Sequence, residues 1–94
     1  MQEFLKFFDW YTNYFIEIKT SPENLIDPKN LKGIDKLGTI SSNGLHDAWH
    51  LKSKMEEDDL KRHLFYILTS ETNIDPKTEM TLTKGIDGGP LKML

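Results

Sequence analysis

The sequence predicts a small, mainly α-helical domain of about four helices, built from two diverged helix–turn–helix-like units around one core. Two observations lead there. The chain repeats itself: Ile26-Asp27-Pro28-Lys29 followed by Lys32-Gly33-Ile34-Asp35 returns as Ile74-Asp75-Pro76-Lys77 followed by Lys84-Gly85-Ile86-Asp87. The likeness reaches upstream, from Ile18-Lys19-Thr20-Ser21-Pro22-Glu23-Asn24 to Ile67-Leu68-Thr69-Ser70-Glu71-Thr72-Asn73. Apolar residues also recur at helical spacing in two long segments. The expected organisation is a single domain over residues 1–94. Its repeat-like halves lie at about 1–37 and 45–87, joined by a loop at 38–44 and followed by a C-terminal tail at 88–94.

The first helix is expected over residues 2–19. Phe4, Phe7, Phe8, Tyr11, Tyr14, Phe15 and Ile18 fall at three- and four-residue spacing and form one broad stripe. Phe4, Phe8, Tyr11, Phe15 and Ile18 are assigned to the core. Trp10, at the edge of the stripe, and Leu5 and Ile16, on nearly the opposite side, are assigned to an interface.

Ser21 and Pro22 then open a short turn. In the first copy of the repeat Asp27 is a suitable N-cap, Pro28 is pre-set for the first helical position, and Gly33 suits a left-handed stop. The second copy reads the same way through Asp75, Pro76 and Gly85, with Ile86 packing back on Met80. Met80-Thr81-Leu82-Thr83 alternates, however, and reads equally as a short strand.

Gly38-Thr39-Ile40-Ser41-Ser42-Asn43-Gly44 is the clearest loop. A second helical region follows from about Leu45 to Thr69, with Leu45, Trp49, Leu60, Leu64 and Ile67 on one side. It is either continuous or broken near Ser53, where Ser53-Lys54-Met55-Glu56 has the form of a capping box. The acidic run after it suits the positive start of a helix. Gly88-Gly89-Pro90 ends any helix before the tail, whose Leu91, Met93 and Leu94 either dock on the core or are disordered.

Composition excludes several function classes. Twelve basic and fifteen acidic residues leave a net charge of −3, the wrong sign for a general nucleic-acid binder. Nucleic acid is therefore an unlikely partner. There is no cysteine, so disulfides and thiolate metal sites are absent. No signal-peptide pattern or membrane-length apolar run is present, because Lys6, Asp9 and Glu17 interrupt the first apolar stretch. A cytoplasmic, soluble protein is expected.

His46-Asp47-Ala48-Trp49-His50 is the one constellation resembling a site. On a helix the two histidines would project together, the geometry two imidazoles need to share a divalent metal ion. The spacing resembles the H-E-x-x-H of zinc metalloproteases, with aspartate in place of glutamate and no third ligand evident. The carboxylate pairs Glu23/Asp27 and Glu71/Asp75, in matching units, offer a second arrangement able to hold magnesium and a nucleotide phosphate. Arg62-His63-Leu64, Glu71 and Asp75-Pro76-Lys77-Thr78 resemble, over a small part of the chain, the all-α nucleotide pyrophosphohydrolases of phages. The carboxylate spacing departs by one residue and most of that family's motifs are missing. A capping role for Asp27 and Asp75 explains them more simply. No catalytic residues are assigned.

The functional expectation is thus a small non-catalytic protein-binding module, an inhibitor or immunity-type protein of bacterial or phage origin. Its partner is another protein or further copies of itself, and it requires no cofactor. Trp10, Tyr14 and Trp49 are the expected anchors, since interfaces favour large aromatic side chains. The alternative is a metal- or nucleotide-binding protein, a hydrolase or a sequestering protein, using a divalent metal ion at His46 and His50 or at the repeated carboxylates.

Overall fold

Residues 12–18 alternate rather than spiral. In the computed structural model, which describes residues 11–85, they form strand β1 (Thr12–Ile18). Tyr14, Ile16 and Ile18 are buried at every second position, while Phe15 and Glu17 face the other way. Aromatic and β-branched side chains suit such a pleated, half-buried surface. The helix expected over 2–19 is therefore a strand over 12–18. Phe4, Leu5, Phe7, Phe8 and Trp10 lie outside the described residues.

From β1 the chain crosses through three 3-10 turns, Pro22–Asn24, Pro28–Asn30 and Ile34–Lys36. Proline opens the first two, and each is one turn long. Gly33, at φ 88°, takes the left-handed conformation that separates the second turn from the third. Leu31, Ile34 and Leu37 from this stretch enter the core.

β2 (Thr39–Ser42) and β3 (Ala48–Ser53) then form a hairpin where a loop and a helix were expected. Asn43 ties the connecting turn together. Its Oδ1 accepts from the backbone N–H groups of Asp47 (3.1 Å) and Ala48 (3.2 Å), and its Nδ2 donates to Asp47 Oδ1 (2.6 Å). His46 sits in this turn at φ 62°, and its carbonyl accepts from Trp49 Nε1 at 2.9 Å.

The one α-helix among the described residues, α1 (Glu57–Glu71), starts with Glu57, Asp58 and Asp59 at its positive end. It buries Leu60, Leu64, Ile67 and Leu68, one face at helical spacing. The helical region expected from Leu45 to Thr69 thus breaks near Ser53, with a strand before the break. Ser53 Oγ accepts from Met55 N–H (3.0 Å), which turns the chain from β3 towards α1. β4 (Met80–Lys84) is the strand that the alternation of Met80–Thr83 allowed.

The four strands make one antiparallel sheet in the order β2-β3-β1-β4. β3 and β4 run parallel to each other with β1 between them, so β3-α1-β4 is a split β-α-β unit. β1 and β2 stand in the same relation across β3, their crossover made of 3-10 turns instead of a helix. Tyr14, Ile16, Ile18, Ile40, Trp49 and Leu51 on one side of the sheet share a core with α1 and the crossover. The mainly α, four-helix expectation is overturned: the described residues make a small mixed fold of one α-helix and a four-stranded sheet. Among the described residues no helix is long and apolar enough to cross a membrane.

The repeated strings occupy unlike places in this fold. One Ile-Asp-Pro-Lys follows β1, the other follows α1, so they do not mark two helix–turn–helix units. What they share is a local turn. Asp27 Oδ1 accepts from Lys29 N–H at 3.0 Å, and Asp75 Oδ1 from Lys77 N–H at 3.0 Å. Pro28 and Pro76 are both buried. The Lys-Gly-Ile-Asp strings diverge: Gly33 is left-handed between two turns, whereas Gly85 follows directly on β4.

Candidate functional site

The strand register sorts side chains into rows across the sheet. The row Ile40–Leu51–Tyr14–Lys84 and the row Ser42–Trp49–Ile16–Leu82 lie on the core side. Between them, on the opposite side, runs Ser41–His50–Phe15–Thr83, flanked by Thr39–Lys52–Asn13 and by Ala48–Glu17–Thr81. Both crossovers contribute to the core on the other side, and among the described residues no element packs on this second side, which is called the open face below.

Phe15 is its centre. The ring remains 49 % exposed and meets His50 across the β1–β3 ladder, with centroids 5.1 Å apart and planes tilted by 32°. On its other flank the ring lies against Gly85, where a Cβ would stand 2.7 Å from Phe15 Cε2 and 3.0 Å from the Asn13 carbonyl oxygen. Glycine here leaves room for the ring and for the short backbone bond from Gly85 N–H to Asn13 O (2.6 Å). His50 is oriented in turn: its Nε2–H donates to Asn13 Oδ1 at 2.9 Å. Two lysines mark one end of the face. The ammonium groups of Lys52 and Lys54 stand 5.6 and 5.2 Å from the Tyr11 ring centroid, both within cation–π reach. Glu17 marks the other end.

The expected binding residues fall differently. Tyr14 and Trp49 are core residues at 1 % and 2 % exposure, so neither presents its ring to a partner. The Tyr14 hydroxyl donates inward to the Met55 carbonyl (2.7 Å). Ile16, assigned to an interface, is also core, whereas Tyr11 and Phe15, assigned to the core, are exposed. Trp10 lies outside the described residues. The signal missed was period two: Tyr14, Ile16 and Ile18 alternate with Phe15 and Glu17 and divide the aromatics between two faces.

His46 and His50 do not lie on a helix. His46 is in the hairpin turn, with its Nδ1 hydrogen-bonded to Ser42 Oγ (2.7 Å), and His50 is on the open face of β3. The geometric premise for a shared metal, and for the likeness to H-E-x-x-H, is therefore not met. Asp27 and Asp75 cap their turns, as described, and Glu23 and Glu71 are exposed. Among the described residues no group of three or more His, Asp or Glu side chains is placed to hold a metal ion. The segments resembling the phage pyrophosphohydrolases lie on α1 and in the turn after it, in a fold that is not all-α. No family model matches the sequence, and neither a curated protein nor a solved structure matches it significantly.

Proposed function

We propose that the protein is a non-catalytic binding module that works in the cytoplasm through the open face of its sheet. One observation carries this reading: Phe15 stays half-exposed on a central strand whose other side is fully packed. Isolated exposed rings are ordinary on protein surfaces. Here Phe15, His50, Tyr11 and two lysines share one face, and a glycine and an asparagine hold the central pair in place. Rigid aromatic side chains with fixed neighbours lose little entropy when covered, which suits recognition. An inhibitor or immunity-type role needs only such a face. The metal- or nucleotide-binding alternative has no comparable support, because its ligands are dispersed.

The test is site-specific photocrosslinking in cells of the source organism. A crosslinking amino acid replaces Thr83 on the open face or, as a control, Tyr66, which is 74 % exposed on α1. Adducts should form from Thr83 and not from Tyr66. Adducts from Tyr66 alone, or from neither position, would defeat the reading.

A further inference from the structure

We infer that a cleft between the crossover turn Ile34–Lys36 and α1 binds a small carboxylate with an apolar body. The cleft lies on the core side of the sheet, away from the open face, so this inference stands apart from the reading above. Two elements that nearly touch build it. Gly33, in the left-handed conformation, brings the crossover so close to α1 that a Cβ there would stand 4.0 Å from Ile67 Cδ1. Beside this contact lies a hollow of about 320 Å3, at the small end of the range for sites that hold small molecules. Leu37 and Ile67, whose other atoms are in the core, and the half-buried Met55 give it an apolar lining. The exposed Tyr66 ring completes the wall on the α1 side.

The charge comes from Lys32 and Lys36. Both are exposed, both line the hollow, and neither ammonium group has a hydrogen-bond or ion-pair partner among the described residues. Asp35, between them in sequence, is exposed and is not part of the lining, and no other carboxylate lines it. The remaining basic groups beside the hollow are engaged. The Arg62 guanidinium pairs with the Asp59 carboxylate, and His63 Nδ1–H donates to the Asp59 carbonyl at 2.8 Å. Two uncompensated ammonium groups beside an apolar floor select an amphiphilic anion. A carboxylate gains charge-assisted hydrogen bonds from the lysines, while its apolar body covers Leu37, Met55 and Ile67 and takes that surface out of water. A phosphate fits less well, because the one arginine fork nearby is taken by Asp59.

The experiment is an amide and methyl chemical-shift titration of the full chain with phenylbutyrate, run beside its neutral amide, phenylbutanamide. The carboxylate should shift Gly33, Leu37, Met55 and Ile67, and its affinity should fall as salt is raised. It should bind about tenfold more tightly than the amide. Lys32→Gln and Lys36→Gln should each weaken it about threefold and together about tenfold, both being exposed positions that leave the fold intact. Tyr66→Ala should weaken it as well, and Lys77→Gln, in the turn after α1, should leave it unchanged. Shifts absent from these four residues, equal affinity for acid and amide, or unchanged affinity in the double lysine variant would each overturn the site. Nuclear Overhauser contacts from residues 86–94 to Ile67 in the free protein would overturn it too, since they would put the chain's own tail in the cleft.

Discussion

Phe15 and His50 stand opposite each other on the solvent side of β1 and β3, while their chain neighbours Tyr14 and Leu51 stand opposite each other on the core side. The same two strands therefore supply the centre of the core and the centre of the open face. Separating these roles by single substitutions is the most informative thing to do with this molecule.

Trp49→Ala should abolish cooperative folding. It removes a fully buried indole, at a cost of about 3–5 kcal/mol, which is comparable to the whole stability of many small domains. Phe15→Ala removes a half-exposed ring and its cross-strand pair, worth about 1 kcal/mol or less. Thermal denaturation followed by circular dichroism should show no native transition for Trp49→Ala. Phe15→Ala should melt cooperatively, within about 4–8 °C of the parent.

Tyr14→Phe should cost about 1–2 kcal/mol. The hydroxyl it deletes is the donor to the Met55 carbonyl, a 2.7 Å bond that fastens the start of the β3–α1 connection to the sheet. Denaturant titration should move the midpoint down without changing the slope.

Gly38→Ala should be strongly destabilising and Gly44→Ala nearly neutral. Gly38 has φ 150°, and a Cβ there would overlap the Lys52 carbonyl on the neighbouring strand. Gly44, in the hairpin turn, has nothing within 4 Å of the corresponding position. Comparing their melting temperatures checks the β2–β3 register directly; equal effects would contradict it.

Asp75→Ala should cost more than Asp27→Ala, although the two lie in identical four-residue strings. Each loses a capping bond to the lysine two residues on, worth about 0.5–2 kcal/mol. The Asp75 carboxylate also accepts from the Thr78 hydroxyl (3.1 Å), a second side-chain bond that Asp27 lacks. Equilibrium unfolding of the two variants should rank them in that order.

The caps were legible in the sequence because they are local. Asp27 and Pro28, Asp75 and Pro76, the break near Ser53, the acidic start of α1 and the buried face of Leu60, Leu64 and Ile67 all depend on residues within about one turn of each other. The strands were not, because pairing partners are distant. Tyr11, Tyr14, Phe15 and Ile18 satisfy helical spacing, while Tyr14, Ile16 and Ile18 satisfy strand spacing. Only the ladders to β3 and β4 decide between them. Helical spacing places Trp49 and His50 on a helix for the same reason, whereas they lie on β3, with Trp49 on its core side. The open face itself was unreadable without the register that brings Phe15 to His50 and Lys52 to the neighbourhood of Tyr11.

The most direct test combines the two faces in one measurement. With the photocrosslinking residue at Thr83, adduct formation in cells is compared between the parent and its Phe15→Ala variant, with the melting temperature of each taken alongside. Loss of the adduct from a variant that still folds is the predicted result. An adduct of unchanged yield in the folded Phe15→Ala protein would contradict the claim that this face does the binding.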